Sequence, residues 1–337
     1  MKTTNSTALS NITVVDLFAG IGAMHMAFAS YGARIIFASE IDKDAAETYE
    51  ANYELKPEGD ITKIDAKSIP DHDILCAGFP CQPFSSAGKK LGFEDRRGNL
   101  FFEVARIVRV KQPKAILLEN VKNLVSHDGG KTFQVILSTL DELGYDVSYK
   151  VLNAVKFGIP QKRERIFILA TRKDLCIDSF VLPGGSYSNV HLEDILLDDD
   201  ETRKMIINRP DAVFNGVEEH YKDAPLRIGT INGGGQGERI YSVKGTAITL
   251  CANGGGSGAK TGLYLVDGKL RRLSLRECAR VTGFPDSFII HPKKGAAYKQ
   301  FGNSIVVDVI QGIIEEMISQ GVINLLKGTK VSKSHPA

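Results

Sequence analysis

Ile12-Thr13-Val14-Val15-Asp16-Leu17-Phe18-Ala19-Gly20-Ile21-Gly22 runs from an apolar strand pattern straight into a glycine-rich turn. Beyond it, Met24, Ala27, Phe28 and Tyr31 recur at helical spacing. A strand, a glycine turn and a helix in that order predict the opening unit of a doubly wound α/β sheet. In such a unit the glycines let the backbone approach a nucleotide cofactor. A second strand over 33–39 ends in Glu40, 20 positions after Gly20, where a carboxylate can hold both ribose hydroxyls. His25 stands where a dinucleotide fingerprint has its third glycine, which argues against a nicotinamide dehydrogenase. The plain alternative is a tight turn followed by a surface Glu.

Working outward, Asp73-Ile74-Leu75-Cys76-Ala77-Gly78 is a short buried strand feeding a loop, and Cys81 sits at the loop's mouth between Pro80 and Pro83. The prolines restrict the backbone on both sides and aim the thiol. Lys89, Lys90, Arg96 and Arg97 follow among Gly88, Gly92 and Gly98, making the loop cationic and glycine-hinged. An isolated Cys after a strand is most often a small buried apolar side chain. Its placement at a strand end before a basic loop favours a nucleophile instead.

Further strand ends carry polar groups. Asp60-Ile61 follows a Pro-Glu-Gly turn and sets a carboxylate within reach of an adenine amino group. After a helix over 100–110, the strand Ala115-Ile116-Leu117-Leu118 ends in Glu119-Asn120-Val121. A carboxylate at the C-terminal end of a buried strand usually faces the ligand crevice, though a capping or ion-paired acid reads the same way. A helix near 131–143 and a strand over 146–155 precede Gln161-Lys162-Arg163-Glu164-Arg165 and the strand 166–170. Arg163 and Arg165, two apart entering a strand, project to one face. Paired guanidiniums suit a phosphate or a carbonyl oxygen; the alternative is a solvated edge.

After about residue 183 the texture changes. Glycine-rich segments at 231–239 and 250–258 flank short β-like runs over 240–243 and 247–250, which predicts a smaller β-rich domain whose loops approach something closely. Flexible linkers share that composition. The basic segment 269–276 returns the chain to the first domain through Gly302-Asn303-Ser304. With 337 residues, 43% of them hydrophobic, two domains are expected. A net charge of +2 makes any nucleic-acid footprint local. Five cysteines without a CxxC pair or metal-ligand spacing, and no signal peptide, point to a reducing cytoplasm.

Asp16-Leu17-Phe18-Ala19-Gly20, Gly78-Phe79-Pro80-Cys81-Gln82, Glu119-Asn120-Val121, the 161–165 run and Gly302-Asn303-Ser304 stand in the order typical of DNA cytosine-5 methyltransferases. The chain resembles that family over nearly its whole length. Its 234–242 stretch is similar to that of bacterial type II modification enzymes of the GCGC-specific HhaI type.

The resemblance implies an S-adenosylmethionine-dependent methyltransferase (Rossmann-like) sheet with a smaller, β-rich target-recognition domain. It implies S-adenosyl-L-methionine as cofactor, S-adenosyl-L-homocysteine as product and no metal. The implied partner is double-stranded DNA, with no membrane and a monomeric, cytoplasmic bacterial enzyme whose restriction endonuclease acts separately. By the same resemblance Cys81 attacks ring carbon 6 of a flipped-out cytosine, Glu119 serves ring nitrogen 3, and Arg165 binds the base's carbonyl oxygen. Arg163 helps to anchor a phosphate or the thiol. Cofactor contacts carry over to Phe18, Gly20, Ile21, Gly22, Glu40, Ile41, Asp60, Ile61, Gly78, Pro80, Leu100, Asn303 and Ser304. Implied DNA contacts are Ser85, Lys89, Arg97, Gln236, Arg239, Thr249, Asn253 and Gly255. Ile41 stands where relatives often carry a larger aromatic, and Asn253 where GCGC-type relatives carry Tyr.

The expected organisation is a catalytic and cofactor domain at 11–189, a recognition domain at 190–274, a hinge at 275–302, a returning helix at 303–327 and a disordered tail at 328–337. A transfer-RNA cytosine-5 methyltransferase shares such a catalytic domain, but its recognition segment is reduced, against the long insert here. An unrelated thiol enzyme on a cofactor-binding fold is the other rival.

Overall fold

The structure, a computed structural model, describes residues 7–80, 100–177, 180–215, 220–253 and 256–328. Cys81, Ser85, Lys89, Arg97, Gly255 and the tail from 329 lie outside the described residues. In chain order the first domain contains β1 (Thr13–Leu17), α1 (Ala23–Ala29), β2 (Arg34–Ser39), α2 (Lys43–Tyr53), β3 (Ile74–Ala77) and α3 (Leu100–Lys111). It continues through β4 (Ala115–Val121), α4 (Lys131–Glu142), β5 (Tyr145–Asn153) and β6 (Glu164–Arg172). These strands form one sheet in the order β2-β1-β3-β4-β6-β5. β2, β1, β3 and β4 run parallel; β6 is antiparallel to both its neighbours.

The short parallel strands read as unbroken apolar runs because both of their faces are covered. Val14, Cys76, Leu117 and Leu169 pack into one core with α1. Val15, Leu75, Leu118 and Ile168 pack into the other with α3 and α4. The alternation of period two along each strand assigns each residue to its core. The sequence expectation of a doubly wound α/β sheet is met.

The remaining elements are α5 (Asp200–Arg203), β7 (Val213–Phe214), β8 (Leu226–Thr230), β9 (Arg239–Ser242), β10 (Leu263–Val266) and β11 (Lys269–Arg271). Helices α6 (Leu275–Arg280), α7 (Lys294–Asn303), α8 (Val307–Ser319) and α9 (Val322–Gly328) complete the chain. β11-β10-β9-β8-β7 make a second, smaller sheet, and α8 packs back against α1 of the first domain. The 247–250 run joins neither sheet. Ala247 N–H donates to Pro160 O at 2.7 Å and Lys162 N–H donates to Ala247 O at 2.9 Å. A stretch with strand-like composition thus crosses to the larger domain, where its backbone finds partners that satisfy it.

Candidate active site

The parallel strands bring their C-terminal ends to one edge of the sheet, and a cavity of about 410 Å³ opens there. The first glycine turn builds its floor through one carboxylate. Gly20 N–H donates to Glu40 Oε2 at 2.7 Å, and Asp42 N–H donates to Glu40 Oε1 at 2.8 Å. Glu40 therefore ties the β1 turn to the end of β2, and each of its oxygens keeps a lone pair for a ligand. Burial pushes the Glu40 pKa up, against those two backbone donors.

Phe18, Gly20, Ile21, Glu40, Ile41, Asp60 and Ile61 all line the cavity. So do Gly78, Pro80, Leu100, Asn303 and Ser304. Ile41 is 68% exposed, an apolar face held open over the site. Asp60 Oδ1 accepts from Thr62 N–H at 3.0 Å and Thr62 Oγ1 at 2.8 Å, which fixes the carboxylate, and its Oδ2 lies 3.7 Å from Lys63 Nζ. Gly22 differs from the expectation: it is not among the lining residues. It caps α1 at φ 83°, and a Cβ there would lie 2.2 Å from the Tyr53 ring. Its requirement is steric, beneath the turn.

Asp16 belongs to the β1 strand pattern, and the sequence assigns it no role of its own. It is 1% exposed, lines the cavity and keeps Oδ2 without a hydrogen-bond partner among the described residues. Burial, followed by the charge of Glu40, pushes its pKa up to about 8. An ionisable residue in the middle of an otherwise apolar strand is the signal that marks it. Behind it, His25 Nδ1 meets Tyr49 Oη at 2.7 Å and the His25 ring stacks on Tyr53. Burial pushes His25 down to about 4, so it is neutral near pH 7.

At the other end of the cavity stand Glu119, Arg163 and Arg165. β4 pairs with β6 so that Val121 faces Arg165, and Glu119 lies diagonally on the same face. Arg165 Nε approaches Glu119 Oε1 at 3.1 Å. Burial raises the Glu119 pKa above the ordinary carboxylate value, opposed by the charges of Arg165 and Arg163. Desolvation outweighs two adjacent cations there. Asn120, next along the strand, donates through Nδ2 to Phe79 O at 2.8 Å. It fixes the backbone just before Pro80, the last described residue ahead of Cys81.

Arg163 lines the cavity and also braces backbone, a contact the resemblance did not give. Its side chain is buried, and its guanidinium donates to Leu250 O at 3.1 Å, Gly302 O at 2.9 Å and Ser304 O at 2.6 Å. Three of its five N–H donors thus brace backbone carbonyls, while its Nε has no partner among the described residues and the residue lines the cavity. Burial pushes its pKa down to about 9, which leaves it charged at neutral pH. Gln161, the first residue of the 161–165 run, is fully buried. It accepts from Leu250 N–H at 3.1 Å and donates to Val281 O. Together the two side chains grip both backbone groups of Leu250. Gly302 is where α7 meets this segment: a Cβ there would fall 2.2 Å from Ala252 N, so glycine alone permits the crossing.

In the smaller domain, Arg239 is exposed, with Nε 3.5 Å from Gly234 O. Glu238, which could have neutralised it, instead accepts from Asn232 Nδ2 at 2.9 Å and Gly235 N–H at 2.8 Å. Gln236 and Asn253 belong to the loops of this domain, and the Thr249 hydroxyl donates to Lys162 O. Asp44, Glu47 and His291 bring potential metal-ligating atoms within 4.8 Å of one another outside the cavity. Lys293 already holds Asp44 at 2.7 Å.

Residues 12–319 match the family described as C-5 cytosine-specific DNA methylase. The type II methyltransferase M.HhaI of Haemophilus parahaemolyticus is 54% identical over 306 residues, covering 90% of this chain and 94% of its own. The type II methyltransferase M1.ScrFI of Lactococcus lactis subsp. cremoris is 44% identical over 312 residues, with 90% of this chain and 77% of its own covered. Among solved structures, the Dnmt2 methyltransferase of S. pombe superposes with a TM-score of 0.67 at 22% identity, over 91% of this chain and 98% of that one. DNMT2 of Spodoptera frugiperda gives 0.70 at 19% identity, over 91% and 99%. At those identities the structural likeness concerns the fold.

Proposed function

This chain belongs to the C-5 cytosine-specific DNA methylase family, and we propose that it methylates cytosine through a covalent Cys81 adduct at the Glu119–Arg165 end of the cavity. What carries this reading is the Glu119 carboxyl, raised by burial and 3.1 Å from Arg165, one strand over from the chain that leads through Pro80 to Cys81.

S-adenosyl-L-methionine fits the residues at the other end, and when bound it supplies an electrophilic methyl group on a sulfonium. Glu40 has free lone pairs for two ribose hydroxyls, Ile41 offers an apolar face to adenine, and the unpartnered Asp16 oxygen offers a further polar contact. Phe18, Gly20, Ile21, Asp60, Ile61, Gly78, Pro80, Leu100, Asn303 and Ser304 would enclose the rest.

Carbon 5 of cytosine is a poor nucleophile. The Cys81 thiolate adds to carbon 6, forming a carbon–sulfur bond, and carbon 5 becomes enamine-like and able to take the methyl group. Glu119 delivers its proton to ring nitrogen 3 as the ring gains electrons, which requires the carboxyl to be protonated at the start. Arg165 bonds the carbonyl oxygen of the base and holds Glu119 in place. A base then removes the carbon 5 proton, the carbon–sulfur bond breaks, Cys81 leaves as thiolate, and nitrogen 3 returns its proton to Glu119. None of this can occur in a stacked duplex, so the target base is extruded at a cost of a few kcal/mol.

The 190–274 segment serves as the reading unit, with Gln236, Arg239, Thr249 and Asn253 against the DNA. Ser85, Lys89, Arg97 and Gly255 are further contacts by resemblance. GCGC is the target we assign, from the likeness of the 234–242 stretch to the GCGC-specific enzymes. The biological role follows as protection of host DNA beside a separate restriction endonuclease. Tritiated methyl transfer from S-adenosyl-L-methionine to duplex DNA, followed by bisulfite sequencing, tests both parts. Label at carbon 5 of cytosine in GCGC is the expected result. Label in another sequence overturns the target assignment, and no label on DNA overturns the activity.

A further inference from the structure

Gln236 and Arg239 belong to the 231–239 segment and Asn253 to the 250–258 segment, so the spacing of these two glycine-rich segments decides which bases the three can meet together. Backbone joins the segments at one point, where Gly258 N–H donates to Gly237 O at 2.8 Å. A Cβ on Gly237 would fall 2.9 Å from Ala259 N, so glycine permits the approach. A single side chain joins them again. Arg209, in the turn ahead of β7, donates through Nη1 to Ser257 Oγ at 3.2 Å and through Nη2 to Asn232 Oδ1 at 2.6 Å.

We propose that Arg209 is a positioning residue for sequence reading, a bridge that sets the spacing at which the two segments meet the bases. The inference rests on the functional reading above and extends it to a residue that no motif assigned. Arg209 is itself held. Asp211 accepts from its Nε at 2.8 Å and its Nη2 at 2.7 Å, and the same carboxylate accepts from Asn232 N–H at 3.2 Å. The turn is anchored too: Ala212 N–H donates to Arg209 O at 3.0 Å, and Ile207 N–H donates to Leu270 O on β11 at 2.9 Å. An isolated surface ion pair contributes little, but a bidentate fork within a network is the exception. Four of the five guanidinium N–H groups are used inside the domain, which leaves little for a phosphate. Lysine has no planar fork and cannot reproduce the bridge. The network also reaches the residue beside Arg239. Asn232 Nδ2 holds Glu238 Oε1 at 2.9 Å and Gly235 N–H holds its Oε2 at 2.8 Å, so the carboxylate is turned to its own loop.

The test uses the full chain as wild type, R209M, R209K and S257A, with two readouts. Without DNA, backbone amides of the 250–258 segment should exchange with deuterium several-fold faster in all three variants than in wild type. With DNA, the kcat/KM ratio between GCGC and a site differing by one base should fall roughly 5- to 150-fold in R209M, the worth of one bidentate base contact. R209K should lose as much, because it keeps the charge without the fork. Binding to a scrambled duplex, and its salt dependence, should stay at the wild-type values. Wild-type exchange in R209M would overturn the bridge. Wild-type discrimination in R209K, or a flatter salt slope on the scrambled duplex in R209M, would overturn the positioning role, because the guanidinium would then be serving as a charge for phosphate. A wild-type protein that methylates no duplex would instead remove the functional reading, while the exchange rates would still decide the bridge.

Discussion

Arg165 and Glu119 meet across neighbouring antiparallel strands, Nε to Oε1 at 3.1 Å, with both side chains largely out of water. A cation at that distance ordinarily draws a carboxyl pKa down. Here desolvation is the larger effect, and the Glu119 pKa is raised. The pair is thus an oriented carboxyl: Arg165 fixes its geometry, and burial shifts it toward the protonated form.

Glu119→Gln keeps the shape and a hydrogen-bond donor but has no proton to give. The single-turnover methyl-transfer rate should fall on the order of 10²–10⁴-fold, with S-adenosyl-L-homocysteine affinity unchanged. A rate within a few-fold of wild type would take Glu119 out of the chemistry.

Gly302→Ala tests the crossing between α7 and the 251–252 backbone. The added methyl would need space that Ala252 N already occupies, 2.2 Å away. Overpacking of this kind costs roughly 1–3 kcal/mol, and the displaced backbone would carry the Arg163 acceptors at Gly302 and Ser304 with it. Urea denaturation should show the loss, together with weaker cofactor binding; an unchanged midpoint would contradict the account.

Asp16 gives a pH dependence. Its folded pKa of about 8 lies above the ordinary 3.8, so between those values the folded protein holds a proton that the unfolded chain has released. Stability from this group is fully present at low pH and is lost as pH rises through about 8. The melting temperature of the ligand-free protein should therefore drop between about pH 5.5 and 8.5, and Asp16→Asn should flatten that drop. Equal slopes in the two proteins would mean that Asp16 is ionised throughout.

Much of this was legible in the sequence because strands buried on both faces announce themselves as apolar runs, and because Glu40 and Glu119 stand where those runs end. The backbone contacts of Arg163 were not, for a physical reason. Its acceptors are main-chain carbonyls 87, 139 and 141 positions away, and no local pattern encodes a carbonyl. The 247–250 run has strand composition, but its partners lie in the other domain. Asp16 and Asn120 are visible as polar residues in apolar surroundings, and only the packing shows what each one faces.

Arg239 is the exposed guanidinium through which sequence reading can be checked. Bidentate contact with guanine is worth about 1–3 kcal/mol of discrimination. Arg239→Ala should relax the methylated consensus at one guanine in bisulfite sequencing of random DNA. A consensus identical to wild type would remove Arg239 from readout.

The covalent step is the core of the account, and a duplex carrying 5-fluorocytosine at the target position tests it most directly. Fluorine cannot leave as a proton does, so the adduct formed after methyl transfer is trapped. Incubated with S-adenosyl-L-methionine and run on a denaturing gel, the wild-type chain should migrate with DNA attached, and Cys81→Ser should not. Methylation of ordinary cytosine by a wild-type protein that forms no adduct with the fluorinated duplex, or an adduct that persists in Cys81→Ser, would contradict it.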